Sequence, residues 1–365
     1  MKININLVEN CTSCMACRSH CPVKCIDIIP DRLGHSRTFA TDKCIECKAC
    51  LKVCPQTTDA LVKTPIKAVA AWNPDMAKRE SSSSGGVATI IAENFIGDGV
   101  VYGCRFVSPF AFKHVRCTTV EEIQTLRGSK YVFGDMDGVY DQISQDLKMG
   151  KKVLFIGIPC QVAGINNYFR GRSANLYTID LLCHGTPSVS MLKRSIPKDI
   201  LLQDIDNVSF RNNLSYQVSL WKDKEKLWER PANREWFLKG FLKDLFSKES
   251  CFSCKYAQHK RTGDISLGDY WGTLPEDLEC DRSKGVNVCV MNSIKGIELM
   301  QSVADKLKAT QVSLSEELSG NLQFSKSACR TWRTRLFRRV YGKLGYRISV
   351  LLAMPDVILK NLLLK

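Results

Sequence analysis

The chain has 365 residues, a formal net charge of +15 and 18 cysteines. A hydrophobic share of 44% and a charged share of 24% are ordinary globular usage, which excludes a collagen-like or disordered chain. The length predicts two or three domains, and no run of ~18 apolar residues marks a membrane-spanning helix. The start, Met1-Lys2-Ile3-Asn4-Ile5-Asn6, has neither an apolar h-region nor a small-residue cleavage site. The expectation is a cytoplasmic protein whose clustered cysteines serve metal or redox chemistry rather than disulfides.

Two cysteine runs open the chain. Cys11, Cys14, Cys17 and Cys21 precede Pro22, and Cys44, Cys47, Cys50 and Cys54 precede Pro55. Both read C-x2-C-x2-C-x3-C-P, the run of bacterial two-cluster ferredoxins. Their starts lie 33 residues apart, an internal duplication. Three closely spaced thiolates reach three irons of one 4Fe-4S cube, and the fourth ligates the other cube. The expected ligand sets are therefore crossed: Cys11, Cys14 and Cys17 with Cys54, and Cys44, Cys47 and Cys50 with Cys21. Between the runs, residues 26–29 and 38–40 flank Asp31-Arg32-Leu33-Gly34 as strand, turn, strand. Structural zinc is the competing reading, yet zinc takes four ligands, usually as two separated pairs, and each run here holds four. Cys25 stands outside the pattern and reads as packing.

After a linker at Pro65-Ile66-Lys67, strands and helices alternate, as in an α/β layered domain. Strands are predicted over 67–72, 100–103, 152–156 and 177–183, and helices over 87–96, 121–126 and 140–149. Ser81-Ser82-Ser83-Ser84-Gly85-Gly86 leads directly into the apolar helix. Backbone N–H groups and the helix dipole make such a start an anion site, with a plain cap as the alternative. Gly128-Ser129-Lys130 forms a turn whose Lys either meets a phosphate or is solvated. No G-x-G-x-x-G occurs, so the common nicotinamide fingerprint is absent. Cys160 closes Gly157-Ile158-Pro159-Cys160 before a helix near Gln161, where a helix N-terminus favours the thiolate. Cys183 and His184 follow the 177–182 segment, and Cys251-Phe252-Ser253-Cys254 is a further C-x2-C pair. Open α/β sheets bind ligands beyond the carboxyl ends of their strands. Of the ten cysteines outside the two runs, only these four lie in motif-like surroundings. They are expected to hold a third 4Fe-4S cluster, a set that would equally suit zinc. Cys104, Cys117, Cys280, Cys289 and Cys329 read as packing.

Taken together, the chain resembles the beta-subunit family of coenzyme F420 hydrogenases and dehydrogenases. The matches are Ser-Ser-Gly-Gly at 83–86, Gly-Ser-Lys-Tyr-Val at 128–132, Gly-Ile-Pro-Cys-Gln-Val-Ala-Gly at 157–164 and Cys-His-Gly-Thr-Pro at 183–187. The Cys251/Cys254 pair and Gly-Asp-Tyr-Trp-Gly at 268–272 complete the set. The resemblance implies FAD beside an additional iron–sulfur cluster, hydride exchange with coenzyme F420 in deazaflavin-using members, and single electrons passed to the clusters. It places the FAD near Ser83, Ser84, Gly85, Gly86, Gly128, Ser129, Lys130, Gly157 and His184. No catalytic side chain is singled out. Two other readings stand beside this oxidoreductase: an electron-transfer adaptor without its own substrate site, and an accessory protein of surface-polysaccharide assembly.

Residues 326–365 carry ten Lys and Arg against the single Asp356, interleaved with Trp332, Leu336, Phe337, Tyr341 and Leu344 at helical spacing. Pro355 interrupts the pattern before 357–364. The segment reads as a helix docked on the body or as an amphipathic element for the inner membrane face. Nucleic-acid binding is not expected, because no recognised module accompanies the charge. The predicted organisation is thus an α+β ferredoxin-like two-cluster domain (1–64), an α/β layered flavin-binding domain (65–325) and a basic helical tail (326–365). Its partner is expected to be a redox protein or an enzyme subunit.

Overall fold

The computed structural model of the protein describes residues 3–59, 61–172, 174–212, 215–274 and 280–356. The duplication at the start of the sequence is also a duplication of backbone. Short helices Ala16–His20 and Ala49–Val53 are each entered through a left-handed residue, Met15 at φ 66° and Lys48 at φ 59°. Ser13 and Glu46, two residues earlier in each copy, are left-handed as well. The hairpin between them pairs β1 (Ile26–Pro30) with β2 (Ser36–Ala40), antiparallel, across a turn with Gly34 at φ 82°.

The rest of the chain builds one eight-stranded sheet. β3 (Lys67–Trp72), β4 (Gly99–Val107), β5 (Ala111–Cys117), β6 (Lys152–Gly157) and β7 (Leu176–Leu181) come first. A separate antiparallel sheet follows, made of β8 (Asn207–Asn212), β9 (Ser215–Lys222) and β10 (Glu225–Pro231). β11 (Ile265–Asp269), β12 (Asn287–Met291) and β13 (Lys308–Val312) complete the large sheet, in the order β13-β3-β12-β11-β7-β6-β4-β5. Its centre, β11-β7-β6-β4, is parallel, and the flanks are antiparallel. The sequence pattern finds β3, β4, β6 and β7 and the helices Val87–Phe95 and Val139–Lys148. It misses β5 and the three-stranded sheet, whose strands carry charge at many positions and lack an apolar run.

Period-two alternation assigns the sheet's two faces. Val101 and Leu154 point to one layer, with Val87, Ile91 and Phe95 of the Val87–Phe95 helix. Val100, Tyr102, Val153 and Phe155 point to the other. That second layer holds Tyr140, Val162 and Ile165, and also Cys14, Met15, Ala16 and Val53 of the N-terminal unit. The cysteine-rich unit therefore shares a core with the sheet. The segment read as a linker is tied down too: Lys63 bridges to Arg261, and Ile66 N–H donates to the Met291 carbonyl at 2.8 Å. At the hairpin tip, His35 Nε2 lies 2.8 Å from the Phe246 carbonyl and Ser188 Oγ donates to the Leu33 carbonyl.

The basic C-terminal segment forms the helix Trp332–Ala353, kinked at Gly345 with φ 70°. One face is docked: Phe337, Tyr341, Tyr346 and Val350 are buried in a cluster with Leu33, Phe237 and Phe246. At ~1.5–3 kcal/mol per fully buried large side chain, that face outweighs any pull of solvent on the helix. The opposite face leaves Trp332, Arg335, Arg339, Lys343, Leu344 and Ile348 exposed. The stretch 357–364 lies outside the described residues. Among those described, no helix is long and apolar enough to cross a membrane.

Candidate redox centre

The parallel strands β6, β7 and β11 end on one side of the sheet, and the chemistry-bearing residues gather there. The helix Pro159–Tyr168 starts earlier than its sequence indicates, with proline in its first turn, so Cys160 is a helical residue. Cys183 lies just past β7, and Cys251 and Cys254 belong to the tight turn around Glu249–Ser253. All four line one cavity of about 40 Å³, together with Thr186, Lys248 and Arg261. The helix N-terminus is not the dominant influence on Cys160. Burial, and then the facing thiols of Cys183, Cys254 and Cys251, push it well above an ordinary thiol. Burial likewise lifts Cys183 to about 12. Such thiols stay protonated until a cation arrives to claim them. Among the described residues, no three His, Cys, Asp or Glu side chains converge on one point closely enough to hold a single metal ion.

The N-terminal cysteines fall into two groups. Cys14 feels Cys54 and Cys11, and Cys17 feels Cys14, Cys11 and Cys54. Cys21, Cys44, Cys47 and Cys50 line a separate small cavity. Each group thus joins three cysteines of one run to the last of the other. Cys25 is more than packing: its Sγ lies 3.5 Å from Cys21 Sγ, and its N–H donates to that sulfur.

The Cys11 group is the one that meets the sheet. Cys14 packs on Gly164 of the Pro159–Tyr168 helix, where a Cβ would come within 2.9 Å of its Sγ. The Tyr140 hydroxyl donates to the Cys14 carbonyl at 2.7 Å. The buried Tyr256 hydroxyl has no hydrogen-bond partner and faces Cys160, Cys14, Cys254 and Cys54. The three cysteine sites therefore stand in series, with the Cys21 group outermost. Cys47 there is exposed, and Ile45 is 61% exposed.

On the other side of Cys183 opens a larger cavity of about 340 Å³, within the range of small-molecule sites. It adjoins the four-cysteine cavity, because Cys183, His184, Gly185 and Thr186 line both. Of the residues singled out from sequence, Ser83, Ser84, Gly86, Gly128, Ser129, Lys130, Gly157 and His184 line it. Gly85 does not. It is pressed on the sheet, where a Cβ would meet the Ala71 carbonyl at 2.6 Å. The Val87–Phe95 helix begins here behind Gly86 at φ 79°, with Asn287 Oδ1 accepting from Val87 N–H at 3.2 Å. Ser83 Oγ accepts from Ser129 N–H at 2.5 Å, joining the two predicted loops. Lys130 is not solvated. Its ammonium is held by the Leu126 and Arg127 carbonyls at 2.6 Å each, and burial lowers it to about 8.

Sequence reasoning missed His114, Cys104 and Arg211 in this wall, which also holds Asp269 of the Gly-Asp-Tyr-Trp-Gly motif. His114, on β5, is buried with neither ring nitrogen hydrogen-bonded, and burial pushes it down to about 4, so the ring is neutral. Arg211, on β8, pairs with Asp269 at 2.8 Å. The one available signal was the 111–117 segment, in which charged and apolar residues alternate. Arg261, in the wall of the four-cysteine cavity, forms a fully buried ion pair with Asp180 at 2.8 Å. Asp180 also accepts from Thr262 and Gly263 N–H groups. Burial would raise its carboxyl, but Arg261 and these donors outweigh that and hold it below the usual range.

Comparison with known proteins gives two family matches. Residues 68–139 match the N-terminal profile, and residues 150–317 the C-terminal profile, of the coenzyme F420 hydrogenase/dehydrogenase beta subunit. The fold is similar to that of a chain in the xenon-derivatized F420-reducing nickel–iron hydrogenase complex from Methanosarcina barkeri. That likeness has a TM-score of 0.50 at 16% identity and covers 68% of this chain and 83% of that one. No curated protein sequence matches.

Proposed function

The chain belongs to the coenzyme F420 hydrogenase/dehydrogenase beta-subunit family, a family of redox proteins, and from that premise we propose that it is an iron–sulfur flavoprotein oxidoreductase. In this reading FAD occupies the larger cavity, a hydride carrier of the F420 class or another organic substrate meets it there, and the three cysteine groups hold 4Fe-4S clusters. The observation that carries the reading is the shared wall of Cys183, His184, Gly185 and Thr186 between a small-molecule cavity and a four-thiol cavity. When bound, FAD supplies the exchange of a hydride pair for single electrons.

The residues present fit these groups. The first turn of the Val87–Phe95 helix, where Ala88 and Thr89 line the cavity, offers N–H groups to a diphosphate, and the Ser83–Ser129 contact holds the Gly128-Ser129 turn beside it. The unpartnered, neutral His114 offers a donor and an acceptor to a ring. Four thiols around one cavity suit a cube. The packing of Cys14 on Gly164 sets the four-cysteine group and the Cys11 group side by side. The outer group, with exposed Cys47 and Ile45, is where a one-electron partner protein or enzyme subunit docks.

Anaerobic reconstitution tests this. The expected outcome is about 12 iron atoms per chain and FAD retained through gel filtration. A chain that holds its iron but no flavin would leave the adaptor reading. A stoichiometric, tightly held zinc would exclude the third cluster. A second reading concerns location. The exposed face of the Trp332–Ala353 helix carries Arg335, Arg339, Lys343 and Arg347 beside Trp332 and Ile348. This pattern suits an anionic membrane surface, and accessory work in polysaccharide assembly would use it. Salt-sensitive binding to anionic liposomes, lost when these four residues become Gln, is the expected result, and equal binding by the variant would exclude it.

A further inference from the structure

Between the inner and middle cysteine groups lies a buried cation. Lys248 is only 5% exposed. Its own backbone ties it to the four-cysteine cavity: its N–H donates to the Thr186 carbonyl at 3.1 Å, and its carbonyl accepts from Cys251 N–H at 2.9 Å. Its side chain leaves that cavity and reaches into the N-terminal unit. There Nζ donates to Ser13 Oγ and to the Ser36 carbonyl, each at 2.5 Å. The ammonium also lies 5.5 Å from the Phe133 ring centroid. Both partners, a hydroxyl and a backbone carbonyl, are neutral, so no carboxylate cancels the charge at hydrogen-bond distance.

We propose that Lys248 is a fixed charge shared by the two iron–sulfur sites on either side of it, holding both at a higher reduction potential than they would otherwise have. The inference rests on the cluster reading above. Reduction of either site adds one electron and breaks no bond, so the site becomes more negative by one charge. A cation nearby in a low-dielectric interior stabilises that extra charge more than it would in water. The electrostatic neighbours of the ammonium are Cys11 on one side and Cys251 and Cys160 on the other, with Asp31 beyond. Lys248 is thus a tuning residue, and neither a ligand nor a proton donor. A shared cation also links the two sites, since an electron on one partly neutralises the charge available to the other.

The test uses the full chain, reconstituted anaerobically, with Lys248→Gln, Lys248→Met and Lys248→Arg, followed by potentiometric titration monitored by electron paramagnetic resonance. At fixed potential the neutral variants should show at least a tenfold fall in the reduced-to-oxidised ratio at both flanking sites. For a one-electron couple that is about 59 mV. The outer site of Cys21, Cys44, Cys47 and Cys50 should keep its potential and serves as the internal reference. Lys248→Arg should keep all three. Unshifted flanking sites, or an equal shift at all three, would overturn the assignment. If the neutral variants lose iron at the flanking sites, Lys248→Arg decides: retained iron and potentials support the charge, and the same loss means that shape alone matters. A wild-type chain with no iron in the Cys160 site, seen in the iron count before any titration, sinks the cluster reading and this inference with it.

Discussion

Gly164→Ala perturbs the contact on which the series of cysteine sites depends. Gly164 lies within the helix Pro159–Tyr168, where alanine would normally stabilise by about 1 kcal/mol. Here the added Cβ would come 2.6 Å from the Tyr140 hydroxyl, 2.8 Å from Cys14 Cβ and 2.9 Å from Cys14 Sγ. None of the three can step aside cheaply. Tyr140 is fully buried and hydrogen-bonded to the Cys14 carbonyl, and Cys14 is held by the core it shares with Phe155 and Ile165. Overpacking of this kind costs about 1–3 kcal/mol; three contacts under 3 Å put this one at the upper end, so after the helical gain the variant should be less stable by up to about 2 kcal/mol. Gly342→Ala is the matched control. It too lies within a helix, and its nearest contact is the flexible Arg32 side chain at 3.4 Å. That substitution should stabilise by a few tenths to about 1 kcal/mol. Urea unfolding of both variants, with iron counted after reconstitution, makes the comparison. Gly164→Ala should also lose iron at the Cys11 group before the outer group. A Gly164→Ala chain at least as stable as the wild type, with all its iron, would refute the close seating of the N-terminal unit on this helix.

Further outcomes follow from other contacts. Arg261→Met leaves Asp180 as an uncompensated charge at 0% exposure and should cost about 3–5 kcal/mol, whereas the double change to Met and Leu should recover part of it; equal losses in both would mean that the pair is not electrostatically coupled. Glu235, 2% exposed and accepting from Leu238 N–H, is raised by burial to about 7. Because the folded chain holds this proton where the unfolded chain has lost it, the wild type should lose up to about 3 kcal/mol as pH rises from about 4.5 through 7. Glu235→Gln should lack that slope, and parallel stability curves for the two proteins would exclude the buried acid. Cys21→Ser should disturb the site built from the 44–50 run; anaerobic spectra in which only the site of its own run is lost would show the ligation uncrossed.

Much of the candidate centre was legible because its chemistry needs particular residues at particular spacings. Two repeated cysteine runs, a Ser-Ser-Gly-Gly before an apolar helix and cysteines just past strand ends are local signals, each written within a short stretch of chain. Strands β3, β4, β6 and β7 and the main helices were legible for the same reason, since apolar period and caps are local. Gly85 shows the limit of such reading. The motif contains it, but its lack of a side chain serves the sheet beneath and not the cavity. Lys130 shows another: a lysine in a promising turn is held by two carbonyls, which only the path of the Leu126–Arg127 backbone decides.

What the sequence by itself determined was the set of cysteines, their division into three groups and the presence of a layered α/β body. It did so because ligand spacing and hydrophobic period act over a few residues. Tertiary structure alone decided which group faces which. Cys14 meets Gly164 across 150 positions because the N-terminal unit buries Met15, Ala16 and Val53 on the same sheet face as Val100 and Phe155. That packing put the Cys11 group inside and the Cys21 group outside. His114, Arg211 and Lys248 entered the picture the same way. Each is unremarkable among its chain neighbours and acquires a role only where burial strips away water, because in that setting a single imidazole, guanidinium or ammonium governs the electrostatics of everything beside it.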